Sequence, residues 1–301
     1  MKRPNFFIVG APKCATTSLH AYLSQHPEIF MCKKEQHYFG SDLAFRAVRP
    51  SLEEYLGTFR QAEHEKRLGE AAVWYLYSKK AAQEIKAFCP DARIIIMLRD
   101  PVDMLYSYHS QLLYTGHEFI SDFEEALKAE NERKQGLRMP RDYLFPESLF
   151  YRDVASFAGQ VERYYAQFDR DRILVILYDD LRSRVHEVYG HVLAFLDVDT
   201  RHTPDFAVAN PNKVDRSAVL KWLLVEAPAS LKVLLRPFVP RKLRQGVHEL
   251  LYGLNVQYNT VVSGRVPLQP EVRNRLRRYF HADIVKLEGI NRRDLSSWTR
   301  E

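Results

Sequence analysis

Phe6-Phe7-Ile8-Val9-Gly10-Ala11-Pro12-Lys13-Cys14-Ala15-Thr16-Thr17-Ser18-Leu19 is the stretch that decides the fold of this chain. Four apolar residues run into a Gly-Ala-Pro turn, a lysine follows, and three hydroxyl side chains precede an apolar segment of helical period at Leu19, Tyr22 and Leu23. A buried strand, a tight turn and a helix N-terminus in that order form an anion site. The first N–H groups of a helix have no partners within it, and the helix dipole favours negative charge there. Lys13 adds a cation, while Thr16, Thr17 and Ser18 add hydroxyl donors. That chemistry suits a phosphate or a sulfate. The plainer alternative is an ordinary strand, turn and helix with a surface lysine.

Outward from this loop, strands and helices alternate. Phe6 to Gly10 is the first strand and 16–25 the helix after it. A short strand near 69–73 precedes a helix over about 79–88. Arg93 to Leu98 is a buried strand, with Pro101 placed for the start of a helix. The aromatic stripe Phe150, Phe157, Tyr164, Tyr165 and Phe168 predicts one helix over 150–168, with core rather than cofactor duty. Ile173 to Tyr178 is another buried strand, and 183–196 a further helix. The alternation predicts an α/β fold with a central parallel sheet flanked by helices. There is no composition break to divide the chain, so a single domain over 1–301 is expected. A charged, proline-interrupted insertion at about 114–148 sits where substrate specificity would lie, and a helical lid or cap covers about 210–301.

The bulk composition decides less. The chain has 301 residues, 46% hydrophobic and 27% charged, which is that of a water-soluble globular protein. Its formal charge of +6 fits polyanionic ligands without separating a nucleotide from a nucleic acid. Three cysteines, Cys14, Cys32 and Cys89, form no C-x-x-C pair, a count that suits a reducing compartment. Cys14, beside Lys13 at a helix N-terminus, is either a reactive thiol or a filler residue of the loop. The first strand starts too close to Met1 for a signal peptide, and no apolar run is long enough to cross a bilayer.

The loop is not the G-x-x-x-x-G-K-[ST] pattern of P-loop kinases. Counted from Gly10, Ala15 would take the second glycine and Thr16 the lysine, whereas the lysine lies three residues earlier. It resembles instead the P-K-x-G-T-T/S loop of sulfotransferases that use 3′-phosphoadenosine 5′-phosphosulfate. Ala15 stands where that family usually has glycine, and a Cβ restricts positive φ.

Two more stretches carry chemistry. In Lys33-Lys34-Glu35-Gln36-His37-Tyr38-Phe39 the carboxylate and the imidazole are two apart, so on an extended segment they point the same way. Together they could take a proton from an alcohol, the alternative being a solvated charged loop. In Leu98-Arg99-Asp100-Pro101-Val102-Asp103-Met104-Leu105-Tyr106-Ser107 a buried strand delivers Arg99 to the end of the sheet, and a helix presents Ser107 two turns on. Arginine and serine can grip a phosphate; the alternatives for Arg99 are an ion pair with Asp100 or a strand-end cap. The first stretch resembles the K-E-x-H-Y/F-F element of heparan-sulfate-type sulfotransferases, which implies Glu35 as catalytic base supported by His37. The second resembles the family's R-D-P-x-x-R-x-x-S site for the 3′-phosphate, with Met104 in place of the inner arginine.

Weaker echoes run from Gly69-Glu70 with Tyr75-Leu76, through Leu177-Tyr178-Asp179-Asp180-Leu181, to a loop ending in Arg216-Ser217 and a terminal helix with Asp283, Glu288, Arg293 and Trp298. The resemblance implies a P-loop-like three-layer fold and, with no membrane anchor like that of Golgi relatives in this sequence, either a cytoplasmic, bacterial enzyme or a trimmed catalytic portion. It implies transfer of a sulfuryl group by in-line displacement to a hydroxyl, less readily an amine, of a carbohydrate, glycolipid or small-molecule acceptor. The product of the donor is adenosine 3′,5′-bisphosphate, and no metal is required. Lys13, Cys14, Ala15, Thr16, Thr17 and Ser18 would hold the 5′-phosphosulfate, Arg99 and Ser107 the 3′-phosphate, and Arg216 would add to the nucleotide grip. Nucleic acid is not an expected partner. The basic apolar stretch 217–245 is either a lid or a membrane-peripheral surface. A divergent P-loop kinase and a non-catalytic polyanion-binding module are the rival functions, and both leave Glu35 with His37 unexplained.

Overall fold

The computed structural model of the chain describes residues 2–206, 213–215, 260–262 and 266–300. Arg216 and the basic stretch 217–245 lie outside them. The chain divides into two compact units, residues 1–210 with 268–301 and residues 211–267. In the second unit, β6 (Lys213–Asp215) and β7 (Thr260–Val262) pair antiparallel.

The first unit is built on a five-stranded parallel sheet. Its strands are β1 (Phe6–Gly10), β2 (Ile29–Met31), β3 (Arg67–Ala71), β4 (Arg93–Leu98) and β5 (Ile173–Leu177), in the order β2-β3-β1-β4-β5. Every pairing is parallel because helices carry the chain back between strands. These crossovers include α1 (Thr16–Leu23), α2 (Leu52–Gly57), α3 (Ala81–Phe88) and α4 (Pro101–Thr115). All five residues of β1 are buried, as are the last five of β4, so the apolar runs read from the sequence are central strands. β1 lies between β3 and β4, where the strand order switches sides. In open parallel sheets the crevice beyond the carboxyl ends at such a point is where ligands bind.

The short elements β2 and α2 had no counterpart among the expected ones. Three residues are too few to show a period, and α2 rests on a capping box in which Ser51 and Glu54 each bond the other's backbone N–H.

The aromatic segment 150–168 is not one helix. It forms α7 (Tyr151–Ala155) and α8 (Phe157–Tyr165), broken at Ser156. Between α4 and α7 lie two short helices, α5 (Phe123–Lys128) and α6 (Glu130–Arg133); α9 (Tyr178–Ser183) and α10 (Val185–Leu196) follow β5. The break is set from the far end of the chain. In the C-terminal helix α11 (Pro270–Asn291), the Asp283 carboxylate accepts the N–H groups of Phe157 at 2.8 Å and Ala158 at 3.2 Å. It thereby caps α8 as a local N-cap side chain would. Val272, Leu276, Phe280, Ile284 and Leu287 form the buried stripe of α11. Burial of side chains this large stabilises by about 1.5–3 kcal/mol each before entropy is counted.

Candidate active site

Three carboxyl strand ends bring the site together. At the end of β1 the backbone turns sharply at Gly10, whose φ is +155°. A Cβ there would stand 2.6 Å from Leu76 Cβ and 2.8 Å from the Val73 carbonyl oxygen, so only glycine fits. Lys13 and Ala15 follow with φ of 61° and 66°. Ala15 thus holds the left-handed conformation that glycine usually supplies, at a cost of roughly 1–2 kcal/mol. It is the N-cap of α1 and brings no side-chain cap, so the first N–H groups of the helix are not covered by a capping oxygen.

The Cys14 side chain turns the other way. Its thiol is wholly buried and donates to the Pro12 carbonyl at 3.4 Å, and burial pushes its pKa up to about 12 despite Arg99 and Lys13 nearby. Cys14 is a filler of the loop, not a thiolate.

Lys13 reaches α4, where Nζ donates to Gln111 Oε1 at 2.6 Å. Gln111 lies one helical turn beyond Ser107, so one face of α4 presents both residues. Ser107 is buried, with 2% of its surface exposed. Arg99, at the end of β4, is half-buried with its guanidinium carbon 4.3 Å from the centre of the Tyr178 ring. The ion-pair alternative for Arg99 fails for a local reason. Asp100 caps α4 instead, accepting the N–H groups of Val102 at 2.8 Å and Asp103 at 3.2 Å. Among the described residues no carboxylate pairs with Arg99. Met104 is wholly buried, so this family-arginine position faces the core.

The loop after β2 carries the third group. Glu35 and His37 do not lie on an extended segment, contrary to expectation: their φ values are 61° and 53°. Their side chains converge all the same, with His37 Nε2 4.0 Å from Glu35 Oε2. The Glu35 backbone N–H donates to the Ala71 carbonyl at 2.9 Å, and the Val73 N–H donates to Glu35 Oε2 at 3.2 Å, so both ends of the residue are tied to the end of β3. A third of the Glu35 side chain is exposed, but protein encloses the rest, and burial raises its pKa against the opposing pull of Lys34 and the Val73 N–H.

His37 stacks on Phe45 at 4.1 Å between ring centres. Burial, helped by Arg49, lowers its pKa to about 4, so at neutral pH it is an uncharged imidazole. Its Nδ1 is buried without a hydrogen-bond partner among the described residues. Glu35, His37, Phe45, Arg46 and Arg49 line a cavity of about 490 Å³.

A residue without an assigned role in the sequence links these parts. Lys34 Nζ donates to Thr16 Oγ1 at 3.1 Å and Thr17 Oγ1 at 2.9 Å, and lies 3.8 Å from Glu35 Oε1. The strand-end loop, its hydroxyls, a lysine and a carboxylate therefore form one contiguous surface.

A sequence profile of the sulfotransferase domain matches residues 3–215. The chain belongs to the sulfotransferase domain family. A crystal structure of a sulfotransferase from Alicyclobacillus acidocaldarius superposes over 100% of both chains, with a TM-score of 0.75 at 30% identity. Human carbohydrate sulfotransferase 15 is 27% identical over an alignment of 248 positions that covers 65% of this chain and 44% of its own length. Mouse bifunctional heparan sulfate N-deacetylase/N-sulfotransferase 4 is 26% identical over an alignment of 204 positions that covers 65% of this chain and 22% of its own length. The chain thus spans less than half the length of these curated relatives.

Within this sulfotransferase fold, several neighbours of the site were assigned no role from the sequence, Tyr178 being quoted only within a weak echo. Gln111 and Tyr178 each contact an expected site residue from an element far along the chain. Glu70 and Tyr75, visible only as a weak echo, turn out to support the Glu35 loop. The wholly buried Glu70 accepts hydroxyl bonds from Tyr75 at 2.5 Å and from Tyr55, and the Tyr75 oxygen accepts the N–H groups of Tyr38 and Phe39. Phe145, from the segment 114–148, packs on Phe45 and Trp74, each at 4.8 Å between ring centres. Among the described residues no helix is long and apolar enough to cross a membrane.

Proposed function

We propose that the protein transfers a sulfuryl group from 3′-phosphoadenosine 5′-phosphosulfate to a hydroxyl of a carbohydrate acceptor. The observation that carries this is the short path from the anion loop to a carboxylate: Lys34 touches Thr16 and Thr17 and stands beside Glu35. A kinase-type anion loop alone gives no reason for an acid at that distance.

The residues present fit such a donor. The uncapped N-terminus of α1, the close backbone turn at Gly10 and the half-buried Lys13 suit the 5′ end, and Arg99 with Ser107 suits a 3′-phosphate. When bound, this co-substrate supplies a sulfuryl group on a phosphate leaving group. Glu35 takes the proton of the acceptor hydroxyl as its oxygen bonds to sulfur and the bond from sulfur to the 5′-phosphate oxygen breaks. Lys13 and the helix N-terminus offset the charge gathering on the departing phosphate. His37, neutral and with Nε2 4.0 Å from Glu35 Oε2, orients the acceptor hydroxyl toward Glu35. Arg46 and Arg49 on the wall of the 490 Å³ cavity favour an acidic saccharide over a neutral lipid.

The test is an acceptor screen with radiolabelled donor, run with saccharides of graded acidity and with lipids. Label transferred to a saccharide hydroxyl is expected. Label found only in inorganic sulfate across the saccharide panel would overturn the acceptor assignment.

A further inference from the structure

Lys34 stands between the two halves of the site. Its side chain is 17% exposed and runs from the Glu35 loop to the first turn of α1. An ammonium has three N–H donors. Two meet Thr17 Oγ1 at 2.9 Å and Thr16 Oγ1 at 3.1 Å. The third side of the ammonium faces Glu35 Oε1 at 3.8 Å, too far for a good hydrogen bond but close enough for strong Coulombic attraction in a recess.

We propose that Lys34 is a positioning residue that ties the Glu35 carboxylate to the hydroxyls of the anion loop, so that the carboxylate and the donor cradle form one charged unit. This rests on the function proposed above for its consequence in turnover, but the tie itself does not need it.

The surroundings single out Lys34 for this duty. On the same loop Glu35 faces Lys34 and His37; from β3 it faces Glu70, and Arg49 stands beside His37. His37 is uncharged above about pH 4, Glu70 is a second acid, and Arg49 acts on His37. Lys34 is therefore the cation that opposes the burial of Glu35 most. The need is mutual, since burial lowers the pKa of Lys34 and Glu35 raises it back. An anion bound at Thr16 and Thr17 would repel a bare carboxylate nearby. A cation held between the two lets both keep their charge.

The test uses the whole protein without donor, carrying ¹³C-labelled glutamate, with the Glu35 carboxyl signal identified by its loss in Glu35→Gln. The Glu35 titration midpoint is expected to rise by about one pH unit or more in Lys34→Met and to stay near wild type in Lys34→Arg. Lys34→Gln, which keeps hydrogen bonding to the threonines without the charge, serves as the second variant if Lys34→Met does not fold. The acid limb of kcat/KM should move up with the midpoint. An unchanged midpoint in a folded, uncharged variant overturns the proposal, because a merely structural lysine would alter melting without altering that titration. A shifted midpoint in a protein whose Glu35→Gln variant keeps full turnover upholds the tie and removes only the base assignment.

Discussion

The Tyr75 hydroxyl donates to Glu70 Oε1 at 2.5 Å and accepts the N–H groups of Tyr38 at 2.9 Å and Phe39 at 3.3 Å. One hydroxyl thus uses its donor and both acceptor sites, and joins a buried carboxylate to the backbone that leaves Glu35 and His37. Tyr75→Phe strips all three bonds while keeping the ring. It should cost about 2–4 kcal/mol of stability, because two N–H groups and one carboxylate oxygen lose a partner. Urea unfolding measures this, and a variant as stable as wild type would contradict the linkage. Turnover should fall more than affinity for adenosine 3′,5′-bisphosphate, since the displaced loop carries the proposed base and not the proposed nucleotide grip.

Glu70 gives the fold a pH dependence of definite sign. Burial pushes its carboxyl from an ordinary 4.5 up to about 7, against the two tyrosine hydroxyls. The folded chain therefore holds this proton more tightly than the unfolded chain does between those values. Stability should fall as pH rises from about 4.5 to about 7, by at most about 1.4 kcal/mol per unit, and level off above. Comparison of unfolding midpoints for wild type and Glu70→Gln across that window isolates the slope; identical profiles would remove Glu70 as its source.

Glu35→Gln should lower kcat by about 10²–10⁴-fold, the usual loss for a general base. Binding of adenosine 3′,5′-bisphosphate, measured by calorimetry, should be little changed. In the wild type, kcat/KM should rise with pH through a Glu35 midpoint above the ordinary 4.5, as burial dictates. His37, lowered to about 4, should add no further limb above that pH.

Arg99→Ala should weaken adenosine 3′,5′-bisphosphate by about 10–100-fold, the loss of a charge-assisted bond, and leave adenosine 5′-phosphate nearly unaffected. Equal loss for both nucleotides would place Arg99 away from the 3′-phosphate.

Cys14 should resist alkylation by iodoacetamide in the folded protein at pH 8. Its thiol is wholly buried and its pKa is pushed up to about 12. Mass spectrometry should find it modified only after unfolding, and rapid native labelling would show a thiolate in the loop.

Much of the candidate site was legible because its parts are local in sequence. A buried strand followed by Gly10, Lys13 and three hydroxyls needs only a dozen residues to declare an anion loop. The Arg99 strand end with Pro101 and Ser107 is equally local, and β4 and α4 fall at Arg93–Leu98 and Pro101–Thr115 as the pattern predicts. The Glu35 and His37 pair was found for a reason the backbone does not follow. Two left-handed residues, not an extended strand, bring the side chains to 4.0 Å.

The sequence by itself determined the parallel α/β architecture, the strand-turn-helix order of the candidate anion loop and the residue types proposed to hold a sulfuryl donor, because strand and helix periods and turn chemistry are written in neighbouring residues. Only the tertiary structure decided what those residues touch. Lys34 meets Thr16 and Thr17 from another loop, Tyr75 fixes the backbone of Tyr38 and Phe39, and Asp283 caps the start of α8 from more than a hundred residues away. Hydrogen bonds and ion pairs act over a few ångströms of space. Which distant residues come that close is settled when the sheet order β2-β3-β1-β4-β5 brings the strand ends side by side.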